Sequence, residues 1–238
     1  MDEQQRLEIL GKAKEFFKEI IAKNHVSNTV KLRKLSAFKV NPFLINYLSA
    51  FAFGDDSPES IAKALIYPRA LGTSITTSFG THMQQFCNFA LSSLASVVSG
   101  IDIEFTDALD GRKKYCQTKS GPETINKDDV TTIKNHFTAI RNLARTNQLL
   151  DLNPSKDCIV GVFYGEPAEL NAHYQALDND FHVYIGKEFW HRLTGDENFY
   201  EALIDSFVEV AQDVDGRDLL QETITRLGSQ IARSRGTI

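Results

Sequence analysis

The sequence predicts an α/β protein with a central mixed β-sheet flanked by helices and a helix-rich periphery. Three patterns carry that expectation. Two stretches of period-two alternation, IDIEFT (101–106) and KKYCQTK (113–119), bracket the turn dipeptide Asp110-Gly111 and predict a β-hairpin. A continuous apolar run of strand length, CIVGVFYG (158–165), predicts a strand covered on both faces. Apolar residues recurring at spacings of three and four elsewhere predict helices.

Residues 2–23 predict an amphipathic helix, with Leu7, Leu10, Phe17 and Ile21 on a stripe widened by Ile9, Ala13, Phe16 and Ile20. A basic segment follows, with Lys31, Arg33, Lys34 and Lys39. Asn41-Pro42 opens the apolar stretch 41–53, helical after the proline, and Gly54-Asp55-Asp56 breaks it. Ser57 as N-cap and Pro58 at the first helical position start a helix over 58–70. The hydroxyl-rich LGTSITTS (71–78) predicts a loop or a short turn. Residues 79–98, with Met83, Phe86, Phe89, Ala90, Leu94 and Val97, predict one long buried helix ended by Ser99-Gly100. After the hairpin, 120–126 is a loop, and 128–146 predicts a helix with Val130, Ile133, Phe137, Ile140 and Leu143 on one face. FHVYIG (181–186) predicts a strand and KEFWHRL (187–193) a short helix, with two further helices over 196–213 and 217–234. No linker separates domains. The expectation is one domain over 1–238, divided into 1–40 (helix and basic segment), a core over 41–195, and C-terminal helices over 196–238.

Composition narrows the function. Lys plus Arg is 26 and Asp plus Glu 31, a net charge of −5, which excludes a uniformly basic nucleic-acid-coating protein and leaves room for a local basic cleft. Cys87, Cys116 and Cys158 are odd in number and far apart, so they predict reduced, packed thiols rather than a disulfide framework or a zinc knuckle. No apolar run approaches the ~20 residues that span a bilayer, and the acidic start is unlike a secretory signal, so the expected location is the cytoplasm. The histidines lack HxxH or HExxH spacing. P-loop, GxGxxG and GxSxG elements are absent, so ATP hydrolysis, dinucleotide binding and α/β-hydrolase chemistry have no support.

The hairpin holds the candidate chemistry. Asp102, Glu104 and Thr106 share one strand face, and Tyr115, Gln117 and Lys119 share another. Closing the hairpin brings Asp102 near Gln117 and Lys119. Mg²⁺ takes oxygen ligands. The Asp102 carboxylate, the Gln117 side-chain carbonyl and the Thr118 backbone carbonyl could hold it, with Lys119 orienting or activating a water. A polar hairpin face also reads as a solvated face, and Glu104 as a salt-bridging residue.

Asp102 followed by Gln117-Thr118-Lys119 resembles the PD-(D/E)XK nuclease signature. VNPF (40–43), LGTSITTSFG (71–80), IVGVFYG (159–165) and HVYIGKEFW (182–190) resemble, in matching order, blocks of type II restriction endonucleases that read GGNCC-centred sites. The last block is the most specific and holds the single tryptophan, Trp190. The resemblance implies a restriction-endonuclease-like core and Mg²⁺-dependent, sequence-specific double-strand cleavage of DNA by a homodimer, with a cognate DNA methyltransferase encoded as a genetic companion. It makes Asp102, Gln117 and Lys119 the catalytic set. Two departures stand out: Gln117 replaces a carboxylate, and Gln84 and Gln85 lie on the helix that often contributes a glutamate. Both predict weak metal affinity.

Candidate phosphate contacts are the basic segment with Lys34, the hydroxyls of Ser74 and Thr76, and Ser120, Lys127, Lys134 and Lys187. Glu123 and Asn126 are candidates near the cleaved strand, although Asn126 or Asp128 could equally cap the following helix. Two other readings remain open: a DNA-binding protein on an inactive nuclease fold, and a nuclease of repair or processing.

Overall fold

The computed structural model describes residues 2–146 and 151–235. Among them, in chain order, are helices α1 (Glu3–Phe16), α2 (Lys23–Lys31), α3 (Pro42–Phe53), α4 (Pro58–Pro68), α5 (Ser74–Thr81) and α6 (Met83–Ala90). Strands β1 (Ile103–Thr106) and β2 (Lys113–Lys119) follow, then α7 (Lys127–Thr146), α8 (Pro154–Asp157), β3 (Cys158–Val162), α9 (Ala172–Asp178) and β4 (Val183–Ile185). Helices α10 (Gly186–Thr194), α11 (Phe199–Val214) and α12 (Arg217–Arg235) complete the order. The chain divides into two compact units, Met1–Phe16 with Met83–Ser206, and Phe17–His82 with Phe207–Ile238.

The first unit holds the sheet, in the order β1-β2-β3-β4. β1 and β2 pair antiparallel, with Ile103 opposite Cys116. β2–β3 and β3–β4 are parallel, with Lys119 opposite Val162 and Val160 opposite Val183. The sheet is therefore mixed and flanked by helices, as the sequence predicts.

Every residue of β3 is buried. Val160 and Val162 pack with Ile133, Phe137 and Ile140 of α7. Gly161 turns to the opposite face, where a Cβ would stand 2.2 Å from the Phe189 ring, so glycine is what lets α10 approach the strand. Phe189, Trp190 and Phe199 are each at most 1% exposed. Burying such a side chain is worth about 1.5–3 kcal/mol. The Trp190 indole N–H donates to the Phe163 carbonyl at 2.9 Å, so burial leaves no orphaned donor.

The second unit is helical. Its core joins Leu32, Ile45, Ile61, Ile66, Leu227 and Ile231. The Asn41 side chain caps α3 and Ser57 caps α4, as their positions before proline predict. Only Ile45 and Ser49 of α3 are buried, leaving Phe43, Leu44, Tyr47, Leu48 and Phe51 exposed.

Several expectations change. The first helix does not end near residue 23: a π-helical turn, Phe17–Ala22, carries it into α2. Its buried stripe is Ile9, Ala13, Phe16 and Ile21, with Leu7 exposed. Residues 71–78 are helical, not a loop: π-helical Arg69–Thr73 leads directly into α5. Thr76 and Thr81 send their hydroxyls back to the carbonyls four residues earlier, at 3.1 and 2.8 Å, which removes their competition with the helix. The long helix over 79–98 breaks at His82 and again after Ala90, where Ser92–Leu94 tightens to a 3₁₀ turn. Ala95 then bridges Ile103, so the chain there serves the sheet edge, and Val97 is 99% exposed. The hairpin connection is wider than a two-residue turn: Asp107 N–H donates to the Arg112 carbonyl and Gly111 N–H to that of Asp107. On α7, Leu143 is exposed rather than buried.

Cys116 and Cys158 are buried, reduced thiols. The side chains of Met83, Gln84 and Cys87 lie outside the described residues. Among the described residues no helix is long and apolar enough to cross a membrane.

Candidate active site

Asp102 lies one residue before β1, and its backbone N–H donates to the Cys116 carbonyl at 3.0 Å, which extends the hairpin ladder. Residues that face each other across such a ladder share a sheet face. Asp102 and Gln117 thus reach one cleft of about 410 Å³, which Thr118, Lys119, Gly100 and Ile101 also line. The far wall comes from α7, through Asp129, Thr132, Ile133 and His136.

Each polar group in the cleft is held by a named neighbour. The Asp102 Oδ2 accepts from the Thr118 backbone N–H at 2.7 Å and from its hydroxyl at 3.0 Å. The buried Gln117 amide nitrogen meets the Gly100 carbonyl and the Nδ1 of His136. An amide has two N–H donors and one carbonyl. Both donors are engaged here, so the carbonyl oxygen is the group left for a cation. The Lys119 ammonium stands 3.8 Å from Oδ1 of Asp129. Gly100, at φ +81, makes room for the His136 ring: a Cβ there would lie 2.5 Å from the imidazole Cγ.

The hairpin therefore brings together Asp102, Gln117, Thr118 and Lys119. Asp129 and His136 were not singled out as site residues by the sequence. The available signal was their spacing: Asp129, Thr132 and His136, three and four apart, share one side of a helix whose neighbouring stripe is apolar. Glu104 lies outside the cleft, with Lys113 at 2.6 Å and the Ser96 hydroxyl on its other oxygen. Burial alone would raise its pKa, and these two donors outweigh that and hold the carboxyl below its usual range.

The remaining candidates are scattered. Ser120, Asn126 and Lys127 follow the cleft strand without lining the cleft. The Asn126 side chain caps α7, accepting from the backbone of Asp128 at 2.7 Å and of Asp129 at 3.1 Å. Lys134 and Lys187 are ion-paired, to Asp180 at 2.6 Å and Glu201 at 2.8 Å. Lys34, Ser74 and Thr76 belong to the helical unit, and the Thr76 hydroxyl is taken by the Gly72 carbonyl. Gln85 of α6 does not line the cleft.

The donors available to a cation are oxygens, and among the described residues no group of three or more His, Cys, Asp or Glu forms a metal cage. The Asp102 carboxylate and the Gln117 amide oxygen are the kind of oxygen donor that Mg²⁺ takes.

No curated protein sequence matches this chain. A protein-family model described as "Type II restriction endonuclease EcoO109I" matches residues 11–215, a span that contains the mixed sheet and every residue lining the cleft. This chain belongs to the type II restriction endonuclease EcoO109I family.

Proposed function

We propose that the protein is a Mg²⁺-dependent homodimeric endonuclease that hydrolyses one phosphodiester in each strand of duplex DNA at a GGNCC-like palindrome. The observation that carries this reading is the convergence of Asp102, Gln117 and Lys119 on one polar cleft at the end of the hairpin. Asp102, the Gln117 amide oxygen and the Thr118 backbone carbonyl would hold the ion. When bound, the ion supplies positive charge against the scissile phosphate and acidifies water.

The chain's own groups prepare the rest. Lys119 orients the attacking water and offsets charge on the pentavalent phosphate. Asp129 positions the Lys119 ammonium. Thr118 fixes the Asp102 carboxylate, and His136 with Gly100 fixes the Gln117 amide. Ser120, Asn126, Lys127, Lys187, Lys34, Ser74 and Thr76 are assigned to DNA contacts, the lysines and hydroxyls through phosphates.

Each chain supplies one such cleft and duplex DNA has two strands, so a symmetric pair of chains matches a palindrome. The exposed side of α3, with Phe43, Leu44, Tyr47, Leu48 and Phe51, supports a second copy as its cover. An enzyme of this kind requires a cognate methyltransferase in the same cell, as a genetic companion rather than a bound subunit.

The test is digestion of a sequenced plasmid in Mg²⁺ and in EDTA. Discrete fragments with ends at one palindrome, only in Mg²⁺, are expected. Diffuse nicking, or equal cutting in EDTA, overturns the reading. One observation favours a second reading: Gln117 gives the cleft less negative charge than a carboxylate would, which suits a DNA-binding protein that has lost cleavage. A gel shift in Ca²⁺ that persists uncut after Mg²⁺ is added selects that reading.

A further inference from the structure

The helical unit contains a groove of about 900 Å³ that shares no residue with the cleft of the sheet unit. It is lined by Lys31, Arg69, Ser74, Thr77, Ser78 and His82, among others, and no Asp or Glu lines it. Its charge is thus of one sign. Among the described residues neither Lys31 nor Arg69 is paired with a carboxylate. Lys31 instead donates to the Asn28 side-chain oxygen at 2.9 Å, and the Arg69 guanidinium lies 5.7 Å from the centre of the Phe38 ring. The arginine is held by a ring face that leaves its N–H donors unneutralised.

A second observation points independently to a ligand. Ser78 is 8% exposed, and its hydroxyl is buried with no hydrogen-bond partner. Its own backbone carbonyl is already occupied, by the His82 ring at 2.7 Å and the His82 N–H at 3.1 Å. Neighbouring Thr81 closes its hydroxyl onto the Thr77 carbonyl, whereas that of Ser78 closes onto nothing. A buried hydroxyl without a partner is destabilising unless a ligand completes it. Two cations, an unsatisfied hydroxyl and no acid make a recognition set for a phosphate.

We propose that this groove holds a backbone phosphate of duplex DNA other than the scissile one, with Lys31 and Arg69 supplying charge and Ser78 a hydrogen bond. The inference rests on the endonuclease reading and adds to it a second anchoring point. Within the basic segment and the hydroxyl stretch it adds Lys31 and Ser78, which line the groove, to Lys34 and Thr76, which do not.

The experiment is binding of a fluorescent duplex in Ca²⁺ across a KCl series, for the parent, Lys31→Gln, Arg69→Gln and Ser78→Ala, with circular dichroism as the folding check. Each phosphate contact contributes roughly 0.9 to the slope of log affinity against log salt. Lys31→Gln and Arg69→Gln are each expected to lower that slope by roughly one. Ser78→Ala is expected to weaken binding several-fold at an unchanged slope, because the serine carries no charge. Lys31 is exposed, so its variant keeps the test alive if another fails to fold. Parent-like slopes and affinities in a parent that binds DNA overturn this inference and leave the endonuclease reading standing. A parent that binds no duplex overturns both. Inorganic phosphate that raises the melting temperature of the parent but not of Lys31→Gln, with duplex affinity equal in the two, assigns the groove to free phosphate and also overturns the inference.

Discussion

Thr118 donates twice to one oxygen of Asp102, through its backbone N–H at 2.7 Å and its hydroxyl at 3.0 Å. Hydrogen bonds to a carboxylate are the stronger kind and fix its direction. Thr118→Val keeps the backbone bond and removes the hydroxyl bond, at a loss of about 1.5–3 kcal/mol in carboxylate positioning. Plasmid cleavage slower by roughly ten- to a hundredfold is the expected outcome, since 1.4 kcal/mol is a factor of ten. Asp102→Ala, which removes the proposed ion-holding carboxylate, is expected to abolish cleavage. A Thr118→Val protein that cuts at the parental rate would remove Thr118 from the mechanism.

Lys119→Ala removes the ammonium that faces the cleft. Loss of a group that orients and activates water slows hydrolysis by ~10²–10⁴-fold. A gel shift in Ca²⁺ should still detect DNA binding, and the melting curve should stay near that of the parent. Asp129→Asn, which slackens the hold on Lys119, is expected to fall between parent and Lys119→Ala. Cleavage by Lys119→Ala at parental speed would be incompatible with the proposed chemistry.

Gly100→Ala places a methyl group 2.5 Å from the His136 ring and forces a side chain into the left-handed region at φ +81. The left-handed conformation alone costs about 1–2 kcal/mol for a residue with a Cβ. Lower stability in urea and a marked loss of cleavage are both expected, because the displaced ring is the one that meets the Gln117 amide. His136→Ala in the Gly100→Ala background tests the cause: it should recover the part of the stability lost to the clash and leave the left-handed backbone cost, whereas a strain confined to the backbone would show no recovery.

Beneath the hairpin, Asp107 and Lys114 are fully buried and 3.8 Å apart, and Arg192 donates to Asp107 at 2.9 Å. Lys114 is also held by Asp110 at 2.6 Å and by the Lys156 carbonyl at 2.9 Å. Removing one member of a buried ionic group leaves the others unpaired in low dielectric, at a penalty of about 3–5 kcal/mol. Asp107→Ala should therefore lower the urea midpoint by an amount an exposed pair never reaches. Burial raises the Asp110 pKa, but the Lys114 ammonium, the Arg112 backbone N–H and the Arg192 charge together outweigh it and leave the group below its ordinary value. Its contribution to stability is thus present at neutral pH and lost as acid titrates the folded carboxyl, which a pH series of melting temperatures will detect.

Burial pushes the Cys158 thiol up to about 12, with Asp157 adding to the shift. The folded value lies above the unfolded one, so the neutral thiol favours the fold below the ordinary thiol range. That contribution is lost as pH climbs towards 12. Iodoacetamide at pH 8 is expected to leave the Cys158 peptide unmodified in the native protein and to label it in urea. Labelling in native buffer would contradict the burial of β3.

The sheet and the cleft strand were legible because their signals are local. Alternation around Asp110-Gly111 marks β1 and β2, and the unbroken apolar run at 158–165 marks a strand with no solvated face. The misreadings came where tertiary context outweighed composition. Residues 71–78 carry loop-forming hydroxyls, yet Thr76 turns its hydroxyl back onto Gly72 and the helix continues. Residues 79–98 have the apolarity of a buried helix, but Ala95 is drawn to the edge of β1 and the helix stops short. Asp129 and His136 were hidden for another reason. Their helix face borders a core stripe, and a polar residue beside such a stripe looks like ordinary surface until the strand opposite it is in place.

Every side chain facing the cleft comes from the stretch between Gly100 and His136. A short recombination tract could therefore carry the whole cleft from one relative to another. The helical unit, encoded on either side of that tract, would stay behind with its own groove. Descendants of such an exchange would inherit the cleft as one block, with the residues of the groove unchanged.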